Sequence, residues 1–365
     1  MAGLSRVLLT GDAVGGVWRY SLELARGFAR AGVHPVLAVL GPAPTPAQQA
    51  EAAEIPDLWV MPTGLPLDWT ATGEDELRVT GAALAGLAQR LRADSVHLHT
   101  PALAAEVAWA QKLVVVAHSD VGTWWDAVHP GKPIPDDLAW RAAAVGRGLA
   151  EADVAVAPSR SHARALARRY RPGRPIAVVP NGRTVPALPQ TPRAPVVLAA
   201  GRLWDEGKNY AVLDRAAAWL DAPVFGAGPL RGPHGSAVSF AHIRHLGVLD
   251  EATLAAHMAA ATAFVAPARY EPFGLAVLEA AQAGMALALA DIPTFRELWE
   301  GAALFFCPDD PSHLVDVVQR LLANPAGHAA RARERAARFT AAAMTEATIA
   351  LHREHKPAGT MLCAS

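Results

Sequence analysis

The run Arg6-Val-Leu-Leu-Thr-Gly-Asp-Ala-Val-Gly-Gly-Val-Trp18 changes character twice. Arg6–Thr10 is a short apolar stretch of strand length, and Gly11–Gly16 is a glycine-bearing loop. From Val17 to Ala31 the spacing becomes helical. Tyr20, Leu22, Leu24, Ala25, Phe28 and Ala29 supply an apolar face, and Arg19, Glu23, Arg26 and Arg30 a polar one. Gly32 stops the helix, and Pro35–Leu40 is a second apolar run. Strand, loop, helix, strand is a βαβ unit, and its crossover makes the two strands parallel.

The alternation continues outward from that unit. Leu58–Val60, Val96–His99, Leu113–Ala117, Val154–Ala157 and Ile176–Val179 read as strands, with helical stretches such as Glu74–Arg92 and Pro135–Glu151 between them. The segment Val185-Pro-Ala-Leu-Pro-Gln-Thr-Pro-Arg-Ala-Pro195 has too many prolines for a helix or a central strand, and reads as a semi-stiff linker. The pattern then restarts. Strands are expected at Val196–Ala200, Pro223–Phe225, Val238–Phe240, Ala263–Ala266, Met285–Ala288 and Leu304–Phe306. Helices are expected at Asn209–Leu220, Glu251–Ala261, Gly274–Ala283 and Ser312–Leu322, and through the end from Ala326 to His355. The expectation is an α/β chain of two doubly wound domains facing each other across a cleft. Residues 1–185 form the first, 186–340 the second, and 341–365 a helix and tail returning towards the first. Ligands of such sheets sit beyond the carboxyl ends of strands, so chemistry is sought in the post-strand loops.

Composition sets bounds on function. The 365 residues are 52% hydrophobic, which excludes a disordered chain. Lys+Arg 33 against Asp+Glu 34 removes a general electrostatic grip on nucleic acid. Two cysteines, Cys307 and Cys363, cannot build a disulfide framework or a four-cysteine zinc site. No apolar stretch approaches bilayer length, and the N-terminus lacks a secretory pattern, so a cytoplasmic protein is expected.

Three post-strand loops carry the pattern of an anion site. In Pro267-Ala-Arg-Tyr-Glu-Pro-Phe-Gly274, a strand gives way to a helix whose free N–H groups suit phosphates. Glu271 precedes that helix. Glu279, inside it among Leu275, Ala276, Val277, Leu278, Ala280 and Ala281, needs a partner, either a ribose or a backbone or arginine group. In Gly201-Arg-Leu-Trp-Asp-Glu-Gly-Lys208, Arg202 and Lys208 either neutralise a diphosphate or are solvated cations. Gly15 and Gly16 open a helix after the first strand, but without the spacing of the dinucleotide fingerprint.

His118 follows directly after Leu113–Ala117, where an imidazole can bond a sugar hydroxyl or serve the fold. His97 and His99 end a strand without an evident third metal ligand, and structural roles are favoured. Trp124 and Trp125 either stack on an acceptor ring or pack in the core. Arg160, Arg164 and Arg168, followed by Arg169, Arg171 and Arg174, form a basic stripe. A solvated face is favoured there over contact with an anionic membrane or a phosphorylated acceptor.

Taken together, these segments resemble the GT-B glycosyltransferases, specifically the retaining family 4 group, over nearly the whole chain. The resemblance is carried by Gly15-Gly16-Val-Trp-Arg-Tyr20, Asp94-Ser-Val-His-Leu-His99 and Val178-Val-Pro-Asn-Gly182 in the first half. In the second half it is carried by Gly201-Arg202 with Lys208, by Phe225-Gly-Ala-Gly-Pro-Leu230, and by Glu271-Pro-Phe-Gly-Leu-Ala-Val-Leu-Glu279. It implies two Rossmann-like domains and a nucleoside-diphosphate sugar donor, a UDP- or GDP-sugar, held mainly by the second. It also implies no metal, no cofactor, and transfer to an acceptor hydroxyl with retention. Arg202 and Lys208 would hold the diphosphate and Glu279 the ribose. Glu271 would sit by the donor sugar, with Phe273, Gly274 and Leu275 offering amides. His118 would lie near the sugar hydroxyls, and Gly16 near phosphate and acceptor. Saccharide, lipid-linked and small-molecule acceptors all fit, with at most peripheral membrane contact.

The chain departs from the family pattern at Arg183-Thr184, at Ala227, and at Ile292-Pro-Thr-Phe-Arg-Glu297, which bears on donor detail. The rival readings are a non-catalytic sugar-nucleotide-binding partner subunit and a sugar-nucleotide epimerase of the same fold.

Overall fold

The computed structural model describes residues 3–184, 191–232 and 235–354. Seven strands form the first sheet: β1 (Arg6–Asp12), β2 (His34–Leu40), β3 (Trp59–Pro62), β4 (Ser95–Leu98), β5 (Lys112–Val116), β6 (Val154–Ala157) and β7 (Ile176–Val178). Six form the second: β8 (Ala194–Ala200), β9 (Val224–Ala227), β10 (Arg244–His245), β11 (Ala261–Ala266), β12 (Ala286–Ala290) and β13 (Leu304–Phe306). The orders are β3-β2-β1-β4-β5-β6-β7 and β10-β9-β8-β11-β12-β13. Each sheet starts in its middle, runs to one edge, then returns to build the other side. That winding leaves a crevice between β1 and β4, and a second between β8 and β11.

The helices of the first half are α1 (Gly16–Arg30), α2 (Pro46–Ala53), α3 (Glu74–Arg90), α4 (Val121–Val128), α5 (Asp136–Glu151) and α6 (Arg160–Tyr170). Those of the second are α7 (Tyr210–Ala217), α8 (Glu251–Ala260), α9 (Leu275–Gln282), α10 (Pro293–Trp299), α11 (Pro311–Ala323), α12 (Pro325–Ala336) and α13 (Ala341–Arg353). Apolar clusters cover both faces of the first sheet, and one large cluster encloses the second. The opening βαβ unit is as the sequence predicts, with Arg6 to Asp12 paired in parallel with His34 to Leu40.

Several expectations are corrected. Glu23, placed on the polar face of α1, is buried and accepts the Thr184 N–H and hydroxyl, both at 3.1 Å. The strand expected at Val238–Phe240 is irregular, and pairing falls instead at Arg244–His245. Pro195 lies inside β8 rather than in the linker. It is tolerated at the start of the strand, where the register with β11 shifts between Ala261 and Ala263. Residues 185–190 of the proline-rich segment lie outside the described residues. The helical C-terminal end is broken at Phe339-Thr340, where Thr340 caps α13 through the Ala343 N–H.

The break lets α13 return to the first domain, where it packs on α1. The crossing chain touches Gly182 closely: a Cβ there would lie 2.0 Å from the Thr340 carbonyl oxygen. Only glycine admits that approach. Arg183 then donates its N–H to Phe339 O at 3.2 Å.

Candidate functional site

In the second domain, β8 ends at Ala200 and the loop after it carries Arg202 and Lys208. Asp205 organises this loop. Its Oδ1 accepts the Gly207 N–H at 2.9 Å, and its Oδ2 takes Arg202 Nη2 at 2.8 Å and Nε at 3.2 Å. The loop after β11 is stitched to the same place, because Arg269 N and Tyr270 N both donate to Gly207 O. The next residue, Glu271, meets Lys208 with Oε2 and Nζ 2.6 Å apart. Gly274 then adopts φ +93, a left-handed conformation that favours glycine, and α9 begins at Leu275. The helix therefore starts beside the Lys208–Glu271 pair, and its unsatisfied N–H groups and dipole favour an anion there. Phe273 is buried and stands edge-on to Phe339. It anchors the turn, and its ring faces away from solvent.

In the first domain, Asp12 at the end of β1 accepts Val14 N and Gly15 N at 2.8 and 3.2 Å, which shapes the glycine loop. Burial raises the Asp12 pKa, while Arg202 across the cleft favours its charge. Gly15 and Gly16 are exposed, and Gly16 lies opposite Leu275, whose Cδ1 would be 3.4 Å from an added Cβ.

His118 follows β5. Burial, helped by neighbouring His162, pushes its pKa down to about 3. Its imidazole is therefore uncharged at neutral pH, with an Nε2 that has no hydrogen-bond partner. Tyr20 packs against it with ring centroids 4.4 Å apart.

His97 and His99 are buried in the domain, and the His99 ring lies 5.3 Å from that of His118. Their neighbour is His352 of α13. Ser95 Oγ donates to Lys112 O, so it accepts from His352 Nδ1 at 2.7 Å, and His352 Nε2 accepts from His97 Nδ1 at 3.0 Å. Among the described residues, no group of three or more His, Cys, Asp or Glu is arranged for a metal ion.

Contacts across the cleft hold these halves together. Trp124 donates its indole N–H to Asp205 Oδ1 at 3.1 Å. Trp125 instead donates to Lys132 O at 3.0 Å and packs on His129 within its own domain. Tyr270 reaches Asp120 N at 3.2 Å and the Thr123 hydroxyl at 2.9 Å. Ser159 Oγ donates to Pro272 O at 2.8 Å.

Glu297 of α10 accepts Arg160 N at 2.9 Å and Ser161 N at 2.6 Å, which places a carboxylate at the start of α6. Glu297→Ala should therefore lower unfolding free energy by about 1–2 kcal/mol, and Glu297→Gln by less. Urea unfolding measures this, and an unchanged midpoint in the alanine variant would contradict the capping role. Within the basic stripe, Arg160 also meets Glu297 and Arg169 meets Asp126, so part of the stripe serves the fold.

Glu279 is held by Arg19 Nη1 at 3.3 Å and Arg183 Nε at 3.2 Å, and Arg183 also binds Glu251 at 2.6 Å. Here the arginine partner foreseen for this carboxylate is present. These two arginines close the far side of the cleft, one turn into α9.

The structure thus brings Arg202, Lys208, Glu271 and the start of α9 into one place. Gly16 faces Leu275 from the first domain, His118 packs among Tyr20 and His99, and Trp125 stands apart. Sequence reasoning assigned no role to Arg19, Asp120, Arg183, Asp205, Tyr270 or Glu297. Asp120 carries a readable signal, since it caps α4 by accepting Gly122 N and Thr123 N. Asp205 carries one too, since it caps the turn through Gly207 N, and the others act through cross-domain contacts that no local pattern announces.

Residues 14–184 match the family Glycosyltransferase Family 4, and residues 194–324 match Glycosyl transferases group 1. A phosphatidyl-myo-inositol mannosyltransferase of Mycolicibacterium smegmatis is 34% identical over 200 residues, 48% of this chain and 51% of that protein. A glycogen synthase of Mycobacterium tuberculosis is 42% identical over 97 residues, 26% of this chain and 23% of that protein. The chain thus spans about half the length of the first curated relative and less of the second.

Among solved structures, sucrose-phosphate synthase from Thermosynechococcus elongatus superposes with TM-score 0.73 at 20% identity, covering 96% of this chain and 98% of that one. HepE from Anabaena, in complex with UDP and glucose, gives TM-score 0.73 at 17% identity, covering 95% and 99%. At those identities the superpositions speak for the fold. With one family matched over each half in chain order, and the same two-sheet architecture in the solved structures, the chain belongs to the GT-B glycosyltransferases of family 4.

Proposed function

We propose that this protein transfers a glycosyl group from a nucleoside-diphosphate sugar, a UDP- or GDP-sugar, to an acceptor hydroxyl, with retention and without a metal. The observation that carries the reading is the Lys208–Glu271 pair at the start of α9, with Arg202 on the same loop. Arg202 and Lys208 supply the positive charge a diphosphate needs, and α9 adds oriented N–H groups. When the bond between the anomeric carbon and the diphosphate oxygen breaks, its electron pair leaves on that oxygen, within reach of these donors. The acceptor oxygen bonds to the same face of the carbon, and its proton passes to the departing phosphate oxygen.

Glu271 sits where its carboxylate borders both Lys208 and the donor sugar. His118, neutral, would give a sugar hydroxyl a hydrogen bond but no charge. A ribose at Glu279 shares or displaces Arg19 and Arg183. In this reading residues 1–185 carry mainly the acceptor and 186–340 the donor, with α13 braced on the first. Among the described residues no helix is long and apolar enough to cross a membrane.

Thermal shift with UDP, GDP, ADP and dTDP tests the reading. A nucleoside diphosphate at about 100 times its Kd should stabilise the protein by about 2.7 kcal/mol. If none of the four moves the melting temperature, the donor-site reading fails.

A further inference from the structure

We propose that Trp124 is a positioning residue for the diphosphate site, reaching from the first domain to fix Arg202 through Asp205. The inference rests on the reading of Arg202 as a diphosphate ligand and adds what holds that ligand in place.

Trp124 lies on α4, the helix that follows His118-Ser119-Asp120. Its Nε1–H donates to Asp205 Oδ1 at 3.1 Å. The other oxygen of the same carboxylate takes Arg202 Nη2 at 2.8 Å and Nε at 3.2 Å. The Asp205 side chain is 7% exposed and that of Arg202 is 53% exposed. One edge of the guanidinium is therefore held from behind, and the rest stays open towards the cleft. A planar guanidinium oriented along one edge presents its remaining N–H groups in a fixed direction, which suits two phosphate oxygens.

A second observation is independent of that hydrogen bond. Gly207 has no side chain where the indole sits. A Cβ there would lie 2.5 Å from Trp124 Nε1 and 3.0 Å from Cδ1. The loop bearing both Arg202 and Lys208 is thus shaped around this ring. Gly207 O also accepts Arg269 N and Tyr270 N, which hold the chain leading to Glu271. One residue before Trp124, Thr123 meets the Tyr270 hydroxyl. Helix α4 therefore braces both loops of the second domain at once.

Two consequences follow. The cations come from one domain and their brace from the other, so the diphosphate site is complete only when the domains are closed. The N–H of Trp124 is committed to the second domain, which argues against an acceptor-stacking role for this ring.

Calorimetric titration with UDP, UMP, GDP and GMP tests the proposal on wild type, Trp124→Phe, Asp205→Asn and Arg202→Ala. Trp124→Phe keeps a ring but loses the N–H. It should weaken the bound diphosphate about tenfold and the matching monophosphate less than about twofold, because the lost bond acts on the outer phosphate. Asp205→Asn, which conserves size, should show the same split should Trp124→Phe fold poorly. Adding Trp124→Phe to Arg202→Ala should change nothing further. Equal weakening of diphosphate and monophosphate, no weakening of either, or an effect that persists without Arg202 would overturn the proposal while the donor site stands. Absence of any nucleotide binding by wild type would overturn the donor site and the proposal with it.

Discussion

Lys208→Ala is expected to lower kcat/KM for the nucleotide-sugar donor by about 100- to 1,000-fold, most of it in kcat. The lysine side chain is 18% exposed and pairs with the Glu271 carboxylate at 2.6 Å. In the ground state a bound diphosphate already carries its charge, so part of the Lys208 interaction is uniform binding. As the glycosyl bond breaks, further negative charge gathers on the departing oxygen. A fixed cation is then worth more than it was before. The same substitution leaves Glu271 half-buried without its partner, and its negative charge then opposes the leaving group. Lys208→Arg keeps the charge but replaces a compact ammonium with a larger planar group, so partial activity is expected. Steady-state kinetics separate the terms, and a kcat within about twofold of wild type in Lys208→Ala would remove this residue from the chemistry.

The second large effect is loss of stability in mild acid. Four buried histidines, His97, His99, His162 and His352, and the partly buried His118 have pKa values pushed down chiefly by desolvation, with neighbouring imidazoles adding to it for His97, His99 and His118. Their ordinary value is 6.5, and His118 and His352 fall to about 3. A histidine depressed on folding binds fewer protons folded than unfolded. Its stability contribution is intact above pH 6.5 and is lost progressively as pH falls towards the folded value. By pH 5.5, one unit below the ordinary value, His118 and His352 each cost about 1.4 kcal/mol, about 3 kcal/mol together, and the other three add in the same direction. That is a large fraction of a domain's net stability.

The Ser95–His352–His97 chain ties α13 to the first sheet, so that helix should loosen early. Melting temperatures at pH 7.5, 6.5 and 5.5 test this. A steep fall below pH 6.5 is expected, and a flat profile would show that these imidazoles titrate freely in the folded protein.

Much of the architecture was legible because parallel sheets write themselves plainly. Arg6–Leu40 alone declares a βαβ unit, β12 is an unbroken apolar run, and β11 is interrupted only by Thr262. The failures have physical causes. Arg244–His245 is a two-residue exposed edge strand with no apolar pattern, so Val238–Phe240 looked the better candidate. Helix α2 was missed although Thr45-Pro46-Ala47-Gln48 is a complete capping box, because its apolar face is nearly all alanine. Glu23 sits at a helix position that reads as solvent-facing, but the returning chain at Thr184 covers it.

The site divides in the same way. Arg202, Lys208, Glu271 and Gly274 stand in loops whose position after a strand can be read directly. Tyr270 and Trp124 take their roles from contacts between residues far apart in sequence, as does the link from Asp205 to the first domain, and those appear only when the two sheets face each other.

The central claim is that a nucleoside diphosphate binds between the sheets on Arg202, Lys208 and the start of α9. Isothermal titration of UDP and GDP into wild type and into the Arg202→Ala/Lys208→Ala double variant tests it most directly. The account predicts saturable binding of at least one of them by wild type, weakened by more than about 100-fold in the double variant. Equal affinity in the two proteins, or no binding of either nucleotide by wild type, would contradict it.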